Sequence, residues 1–166
     1  NTILGGTPAY DAPVSMESVK GLLNLHISGK NLIDFSKATK TGTASGVSYS
    51  ISDDGAISLS GVCDRPGSSA YIMPFGSGIS QATYLPAGRY YLSGLNTDYS
   101  ASKAVYLYLN YYNSAGEAIV EPKPTVYGPA GVGFTLSEGG AWVTVNTAVK
   151  DGTDVTGVTI TPQIEV

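Results

Sequence analysis

The sequence has few charged residues, one cysteine, one histidine and no long apolar run. Charged residues make up 13% of the 166 positions, about half of the usual share. Acidic residues outnumber basic ones, 13 to nine, for a net charge of −4. Nucleic-acid binding relies on a clustered basic surface, so we expect no nucleic-acid partner. No segment approaches the roughly 18–20 apolar residues of a membrane-spanning helix, and we expect no membrane partner.

The scarcity of cysteine and histidine also limits the chemistry. Cys63 has no partner for an internal disulfide and is predicted to lie in the core, on the same strand face as Ile57 and Leu59. His26 is predicted on the solvent side of an early strand, and without a second histidine a zinc site is not expected. No nucleophile and base stand in a recognisable arrangement. We therefore expect no enzymatic turnover.

The carboxylates point to turns and not to a metal site or a catalytic pair. Asp53 and Asp54 belong to "DDG", a hairpin turn in which Gly55 adopts positive φ. The other acids that lie in loops or in the last strand show no calcium-loop spacing: Asp98, Asp151, Asp154 and Glu165. We expect no obligatory metal or organic cofactor. If a metal is bound, we expect calcium in a structural role.

Glycine and tyrosine are abundant, with 21 and 12 residues, and short alternating segments follow one another between turns. Strands are predicted at 21–28, 47–52, 56–63, 71–75, 89–95, 104–113, 132–138, 141–149 and 157–166. Helix is expected only as a turn near 34–39. This pattern predicts an all-β, two-sheet antiparallel β-sandwich. Its core is predicted to contain Leu25, Ile27, Val47, Ile51, Ile57, Leu59, Leu92, Val105, Leu107, Leu109, Phe134, Leu136, Val143, Val145, Val158 and Ile160.

The segment "AVYLYLNYYN" at 104–113 is unusual because its second face is built from tyrosine. Side chains alternate along a strand, so the tyrosines lie opposite a face of valine and leucine. In "AWVTVNTAV" at 141–149, Trp142, Thr144 and Asn146 fall on the outer face in the same way. If the two strands share a sheet, we expect a partly exposed, ligand-binding platform of Tyr106, Tyr108, Asn110, Tyr112, Trp142 and Asn146.

Sugars present apolar C–H patches beside hydroxyls, and tyrosine offers an apolar ring with a polar tip. Asparagine adds a donor and an acceptor on one group. A structural role is the alternative, because tyrosine suits strands and cross-strand aromatic pairs stabilise sheets by roughly 0.2–1 kcal/mol each.

A wider resemblance runs through most of the chain. The stretch "GGTPAYDAPVSMESVKGLLNLHISGKNLID" at 5–34 resembles a connector in phage and prophage tail and baseplate proteins of Gram-positive bacteria. In those proteins a jelly-roll carbohydrate-binding-like, or galactose-binding-like, domain follows the connector. Similar to that domain, in the same order, are "GVSYSISDDGAISLSGV" (46–62), "LPAGRYYLSGL" (85–95), "GFTLSEGGAWVTVNTAV" (133–149) and "VTITPQIEV" (158–166). The segment 63–83 departs from the pattern.

The resemblance implies a jelly roll over residues 31–166, preceded by a connector and first strand over 1–30. It implies a virion tail protein that acts outside the cell and is encoded by a phage or prophage. The implied partners are a host cell-wall or capsular glycan and other tail proteins. The resemblance supplies no binding residue. Because the sequence begins at Asn1 and not at methionine, we expect a piece of a longer protein.

Three functions stay open at this point. The first is a non-catalytic carbohydrate-binding module that binds host cell-surface polysaccharide. The second is a structural decoration or assembly domain of the tail or baseplate, since tyrosine-rich sheets also form protein interfaces. The third is a bacterial cell-surface adhesin module. Solution size separates the first from the second, and the flanking genes separate the third from a phage protein.

Overall fold

A computed structural model describes residues 30–166, and Asn31–Glu165 form one compact unit. The strands of the described part are β1 Thr41–Ala44, β2 Val47–Ile51, β3 Ile57–Gly61, β4 Ser69–Ile72, β5 Thr83–Leu85, β6 Gly88–Ser93, β7 Val105–Tyr112, β8 Thr125–Val126, β9 Val132–Leu136, β10 Ala141–Lys150, β11 Val158–Ile160 and β12 Gln163–Glu165. A 3₁₀ turn spans Phe35–Lys37. The predicted connector over 1–30, apart from Lys30, lies outside the described residues, as do His26, Leu25 and Ile27.

The strands pair antiparallel and form three hydrogen-bonded sheets. One sheet has the order β4-β10-β7-β8, with β5 also paired to β10. The second has the order β1-β2-β3-β11, and the third β12-β6-β9. Only residues 161–162 separate β11 from β12, so the C-terminal segment joins the second sheet to the third. The prediction of an all-β antiparallel sandwich is confirmed, and the one helical turn of residues 30–166 lies near 34–39 as expected. Where two sheets were predicted, the strands of this part of the chain form three hydrogen-bonded sheets.

Alternation of apolar and polar residues accounts for the strands and for the core between them. On β7, Val105, Leu107 and Leu109 are completely buried, while the residues between them are partly exposed. The hairpin between β2 and β3 turns at Asp53-Asp54, as predicted, with Gly55 at φ +89°. One cluster of buried side chains takes residues from all three sheets.

The predicted core is largely confirmed. Its buried members are Val47, Ile51, Ile57, Leu59, Leu92, Val105, Leu107, Leu109, Leu136, Val143, Val145 and Ile160. Cys63 is buried and reduced. The other two described members of the predicted core, Phe134 and Val158, are partly buried and pack against the core from its margin. Phe134 lies on β9, an edge strand with a neighbour on one side only, and its ring stacks on Tyr90 at 5.5 Å between centroids.

The end of β6 meets the link between β11 and β12 at very short range. Gly94, just after β6, has φ +130°, and its carbonyl accepts a 2.9 Å hydrogen bond from the Thr161 amide. A Cβ at Gly94 would lie 2.4 Å from the Thr161 carbonyl oxygen. A residue without a side chain is therefore required where these two segments cross.

Candidate ligand-binding face

Strands β7 and β10 are neighbours over eight residue pairs, so the condition for the predicted platform is met. The register places Trp142 opposite Tyr112 and Asn146 opposite Tyr108. Residues that alternate along two paired strands share a face. The six predicted residues therefore lie on one face of the sheet that contains β10.

Four tyrosines form a continuous row of rings on this face. Tyr71, on β4, meets Tyr108 edge-on with 6.3 Å between ring centroids. Tyr106 lies 6.0 Å from Tyr108 and 5.3 Å from Tyr127, which follows β8. Edge-on and tilted contacts at these distances are favourable for aromatic pairs. The row crosses the sheet from β4 to the segment after β8.

An aromatic pair extends the same face at the other end of β10. The Trp142 ring lies 5.5 Å from the ring of Tyr84, which β5 places directly opposite. The Tyr84 hydroxyl donates to the Gly139 carbonyl at 3.0 Å. We call the six rings together the aromatic face: Tyr71, Tyr84, Tyr106, Tyr108, Tyr127 and Trp142.

Three members of the aromatic face were not in the predicted platform. Tyr71 alternates with the buried residues Ala70 and Ile72, so its orientation was readable from the sequence once β4 was assigned. Tyr84 lies on a strand of only three residues, too short to show alternation. Tyr127 lies in a stretch rich in proline and glycine that predicts a loop, and its position follows from the pairing of the two-residue β8 with β7.

Two predicted platform residues are buried. Asn146 is 1% exposed and Tyr112 is 7% exposed. Asn146 has a short side chain on a central strand, opposite the much taller Tyr108. Beside Tyr112, the chain returns to form a bridge with Ala118. The expectation of an exposed surface is wrong at these two positions.

The other four predicted platform residues are partly exposed, as expected: Tyr106, Tyr108, Asn110 and Trp142. Their role in ligand binding stays a prediction.

The buried amide of Asn146 is incompletely satisfied. Its Nδ2 donates to Thr144 Oγ1 at 3.3 Å, while its Oδ1 has no hydrogen-bond partner among residues 30–166. A buried acceptor without a partner costs about 1–3 kcal/mol. The amide therefore lowers the stability of the sheet and is too buried to touch a ligand.

We expect Asn146→Val to raise the free energy of unfolding by about 1 kcal/mol, because it removes the unpaired oxygen and places a β-branched residue in a strand. The matched variant Thr144→Val, on the same face and equally buried, should lower it by a similar amount because it leaves Asn146 Nδ2 without its hydroxyl acceptor. Urea titrations of both variants measure the difference. A loss of stability in Asn146→Val would contradict this account, as would a loss of ligand binding.

The phenol groups of the row ionise less readily than free tyrosine. Burial, together with the neighbouring phenols of Tyr106 and Tyr71, raises the pKa of Tyr108 to about 12. Burial also raises the pKa of Tyr106 above its ordinary value. Both groups are neutral hydrogen-bonding hydroxyls throughout the physiological range.

A raised pKa makes stability depend on alkaline pH. The unfolded chain releases the Tyr108 proton near pH 10, whereas the folded chain holds it until about pH 12. The associated stability is complete below about pH 10 and is lost as the pH rises through about 12. We expect the free energy of unfolding to fall less between about pH 9 and pH 11 in Tyr108→Phe than in the unaltered chain. Identical pH dependence in the two proteins would rule out this linkage.

Basic side chains lie around the rim of the aromatic face. The Lys103 Nζ stands 4.1 Å from the Tyr127 ring centroid, and the Arg65 guanidinium 5.5 Å from that of Tyr71. The Lys37 Nζ lies 5.9 Å from the Trp142 ring. The Lys123 Nζ donates to Asn110 Oδ1 at 2.6 Å. Cations at the first three distances are attracted to ring faces. Arg65, Lys103 and Lys123 are exposed beside the rings, whereas the Lys37 Nζ also donates to the Ala82 carbonyl at 3.0 Å.

An open cleft lies at each end of the face. The first, of about 320 Å³, has Tyr84, Tyr112 and Trp142 among its walls, together with the loops at 113–114 and 137–140. The second, of about 480 Å³, is lined by Gly67, Ser68, Ser69, Lys103, Tyr106, Tyr127, Lys150 and Asp151. A ligand that follows the strands would reach both clefts.

The loop carboxylates that the sequence left as calcium candidates serve local turns. Asp98 Oδ1 accepts from the Ser100 amide at 2.8 Å, and Asp154 Oδ1 from the Thr156 amide at 2.9 Å. Within residues 30–166, no three His, Cys, Asp or Glu side chains gather as a metal site would require. In the same part of the chain, no helix has the length and hydropathy to cross a bilayer.

Comparison with known proteins supports the fold alone. No protein-family model matches the sequence, and no curated protein matches it. Among solved structures, a chain in the crystal structure of accessory secretory proteins 1, 2 and 3 in Streptococcus pneumoniae is similar, with a TM-score of 0.51 and 17% identity. The similarity covers 84% of this chain and 97% of the other.

Proposed function

We propose that this chain is a non-catalytic carbohydrate-binding module with jelly-roll connectivity. In this proposal it belongs to a phage or prophage tail protein and binds host cell-surface polysaccharide through the aromatic face. The observation that carries the proposal is the grouping of six aromatic rings on one face of one sheet, with an open cleft at each end. The resemblance of the sequence to tail-protein domains supports the assignment to a phage or prophage tail protein.

The dimensions of the face suit an extended polymer better than a single sugar. Tyr106 and Tyr112, which line opposite clefts, are six residues apart on β7. At about 3.4 Å per residue this separation is about 20 Å, enough for several linked pyranose units. A row of rings carried on a sheet also offers several contacts along an extended polymer.

The chemistry of the face suits carbohydrate. Tyrosine and tryptophan offer apolar rings to C–H patches and polar tips to hydroxyls. These side chains have few rotatable bonds and several already touch one another, so ordering them on binding costs little entropy. Hydroxyls from Ser68 and Ser69 in one cleft and Ser114 in the other add hydrogen-bonding groups.

The direct test is binding of the purified 166-residue chain to Gram-positive cell walls and to an array of cell-wall and capsular polysaccharides. We expect retention on walls and saturable binding to at least one polymer class, without release of sugar fragments. Failure of the folded chain to bind any wall or polymer would reject the proposal.

A second candidate is a tail or baseplate assembly domain that uses the same face against protein. One observation favours it: the face is built from tyrosine and tryptophan, which are enriched in protein interfaces. Light scattering separates the two candidates. A monomer with the aromatic face open favours a glycan, whereas a stable trimer or hexamer protected on that face favours assembly. Flanking genes of cell-surface type would instead favour an adhesin module.

A further inference from the structure

We propose that the cleft beside Tyr106 and Tyr127 binds an acidic group of the ligand, so that the polysaccharide is anionic. This inference rests on the proposed carbohydrate-binding function and narrows its ligand class. The cleft lies at the open end of the tyrosine row, where a sugar stacked on Tyr106 would place its substituents among Lys103, Lys150 and the serine-rich turn before β4.

The distribution of charge is the first argument. The chain carries a net charge of −4, and seven of its basic residues fall within 31–166. Five of these seven lie on the aromatic face or in its cleft: Lys37, Arg65, Lys103, Lys123 and Lys150. Glu138 and Asp151 contribute one carboxylate to each cleft, so cations outnumber anions around this surface, which favours the approach of an anionic ligand.

The composition of the cleft is the second argument. Two ammonium groups and the hydroxyls of Ser68 and Ser69 line it, against a single carboxylate. The Asp151 Oδ2 accepts from the Gly67 amide at 3.0 Å, and its single negative charge faces the positive charges of Lys103 and Lys150. Donors therefore outnumber the acceptors left for a ligand, which suits an oxyanion.

The backbone of Lys103 is the third argument. Lys103 has φ +55°, a left-handed conformation that disfavours residues with a Cβ and is more readily adopted by glycine or asparagine. Its amide donates to the Tyr99 carbonyl at 2.7 Å, which fixes the loop and holds the ammonium over Tyr127. Unfavourable backbone conformations cluster at functional sites, and here the residue in the unfavourable conformation brings the charge to the cleft.

Lys103→Asn therefore tests the ammonium group separately from the backbone, because asparagine lacks the charge and suits the left-handed conformation at this position. Lys150→Gln removes the second ammonium at an exposed position. Lys40→Gln is the matched control, because exposed Lys40 precedes β1 in a different sheet and lies only loosely beside Asp53, at 3.9 Å. Thermal unfolding of each variant shows whether the fold is kept.

Calorimetric titration compares three probes on the full chain: polygalacturonate, its neutral methyl ester, and poly(glycerol phosphate). We expect tighter binding of a charged polymer than of the neutral ester, and a loss of about two- to fivefold for each lysine removed. Raising the salt from about 0.1 M to about 1 M shortens the Debye length from about 10 Å to about 3 Å. This change should weaken binding by the unaltered chain more than binding by the double variant that carries both Lys103→Asn and Lys150→Gln. Tighter binding of polygalacturonate would identify the acidic group that the cleft prefers as a carboxylate, and tighter binding of poly(glycerol phosphate) would identify it as a phosphate.

Two results overturn the inference alone: equal affinity for the charged and neutral polymers, or a loss in Lys40→Gln as large as that in Lys103→Asn. Binding of none of the three polymers by the folded chain also overturns it. Retention on whole cell walls decides the proposed function separately, so the two failures are distinguishable.

Discussion

Alanine at Tyr106, Tyr108 or Trp142 is expected to weaken polysaccharide binding by about 30-fold or more. Buried aromatic anchors of binding surfaces typically cost about 2 kcal/mol or more when truncated, and each of these rings contacts another aromatic ring of the face. Loss of cross-strand ring contacts should lower the free energy of unfolding by roughly 0.2–1 kcal/mol per contact. Titration of each variant with the best-binding polymer, beside urea unfolding, separates the two effects.

The conservative variants sharpen this experiment. Tyr106→Phe and Tyr108→Phe keep the ring and remove the hydroxyl, so they should retain most of the affinity if stacking dominates. Tyr91→Ala is the matched control, because Tyr91 is an exposed tyrosine on β6, in a different sheet. An equal loss of affinity in Tyr91→Ala would show that the aromatic face is not the site. Loss of stability without loss of affinity at Tyr106, Tyr108 and Trp142 would make these rings structural.

Gly94→Ala is expected to lower the free energy of unfolding by about 3 kcal/mol or more. The new Cβ would stand 2.4 Å from the Thr161 carbonyl oxygen and 2.6 Å from Pro162 Cα. Both are backbone atoms, so relief requires the crossing of β6 with the C-terminal segment to open. The positive φ of Gly94 adds backbone strain, and such positions cost about 1–3 kcal/mol for residues with a side chain.

The control for Gly94→Ala is Gly139→Ala. Gly139 also has positive φ, +100°, but a Cβ there would meet nothing within 4 Å. It should therefore show the backbone cost alone, about 1–2 kcal/mol. The difference between the two variants measures the close approach of the segments. Equal losses in urea unfolding would mean that the chain relaxes at Gly94 without cost.

The two longest strands explain why so much of the fold and face was readable from sequence. The sequence alternates along most of β7 and over residues 141–146 of β10, so the orientation of Tyr106, Tyr108 and Trp142 follows from local pattern alone. The local pattern does not predict that these two strands pair with each other, because pairing depends on residues far apart in the chain. The division of the strands into three sheets also depends on long-range pairing. The strands β11 and β12 belong to different sheets, and with three residues each they are too short to show alternation.

The errors at Asn146 and Tyr112 have a different cause. Alternation gives the side on which a residue lies but not the height of its neighbours, and Asn146 is buried because it stands beside a taller ring. Tyr112 is covered where a later segment returns to pair with it. Tyr127 was not predicted, because its position depends on the pairing of β8, a strand of two residues, with β7. The exposure of a residue on a sheet face therefore depends on the side chains and segments that surround it in the folded protein.

Strand β10 is paired along one edge with β7, while its other edge is shared between two short strands. β5 covers Ala141–Val143 and β4 covers Thr147–Lys150. The chain leaves the sheet after Ile72 and returns at Thr83. The two short strands therefore share the same edge of β10, and the segment between them connects one to the other. Within it, residues 76–80 are not buried. Such an arrangement is expected to tolerate changes of loop length at 76–80 without altering the register of any strand, which makes this loop a suitable site for grafting or diversifying sequence.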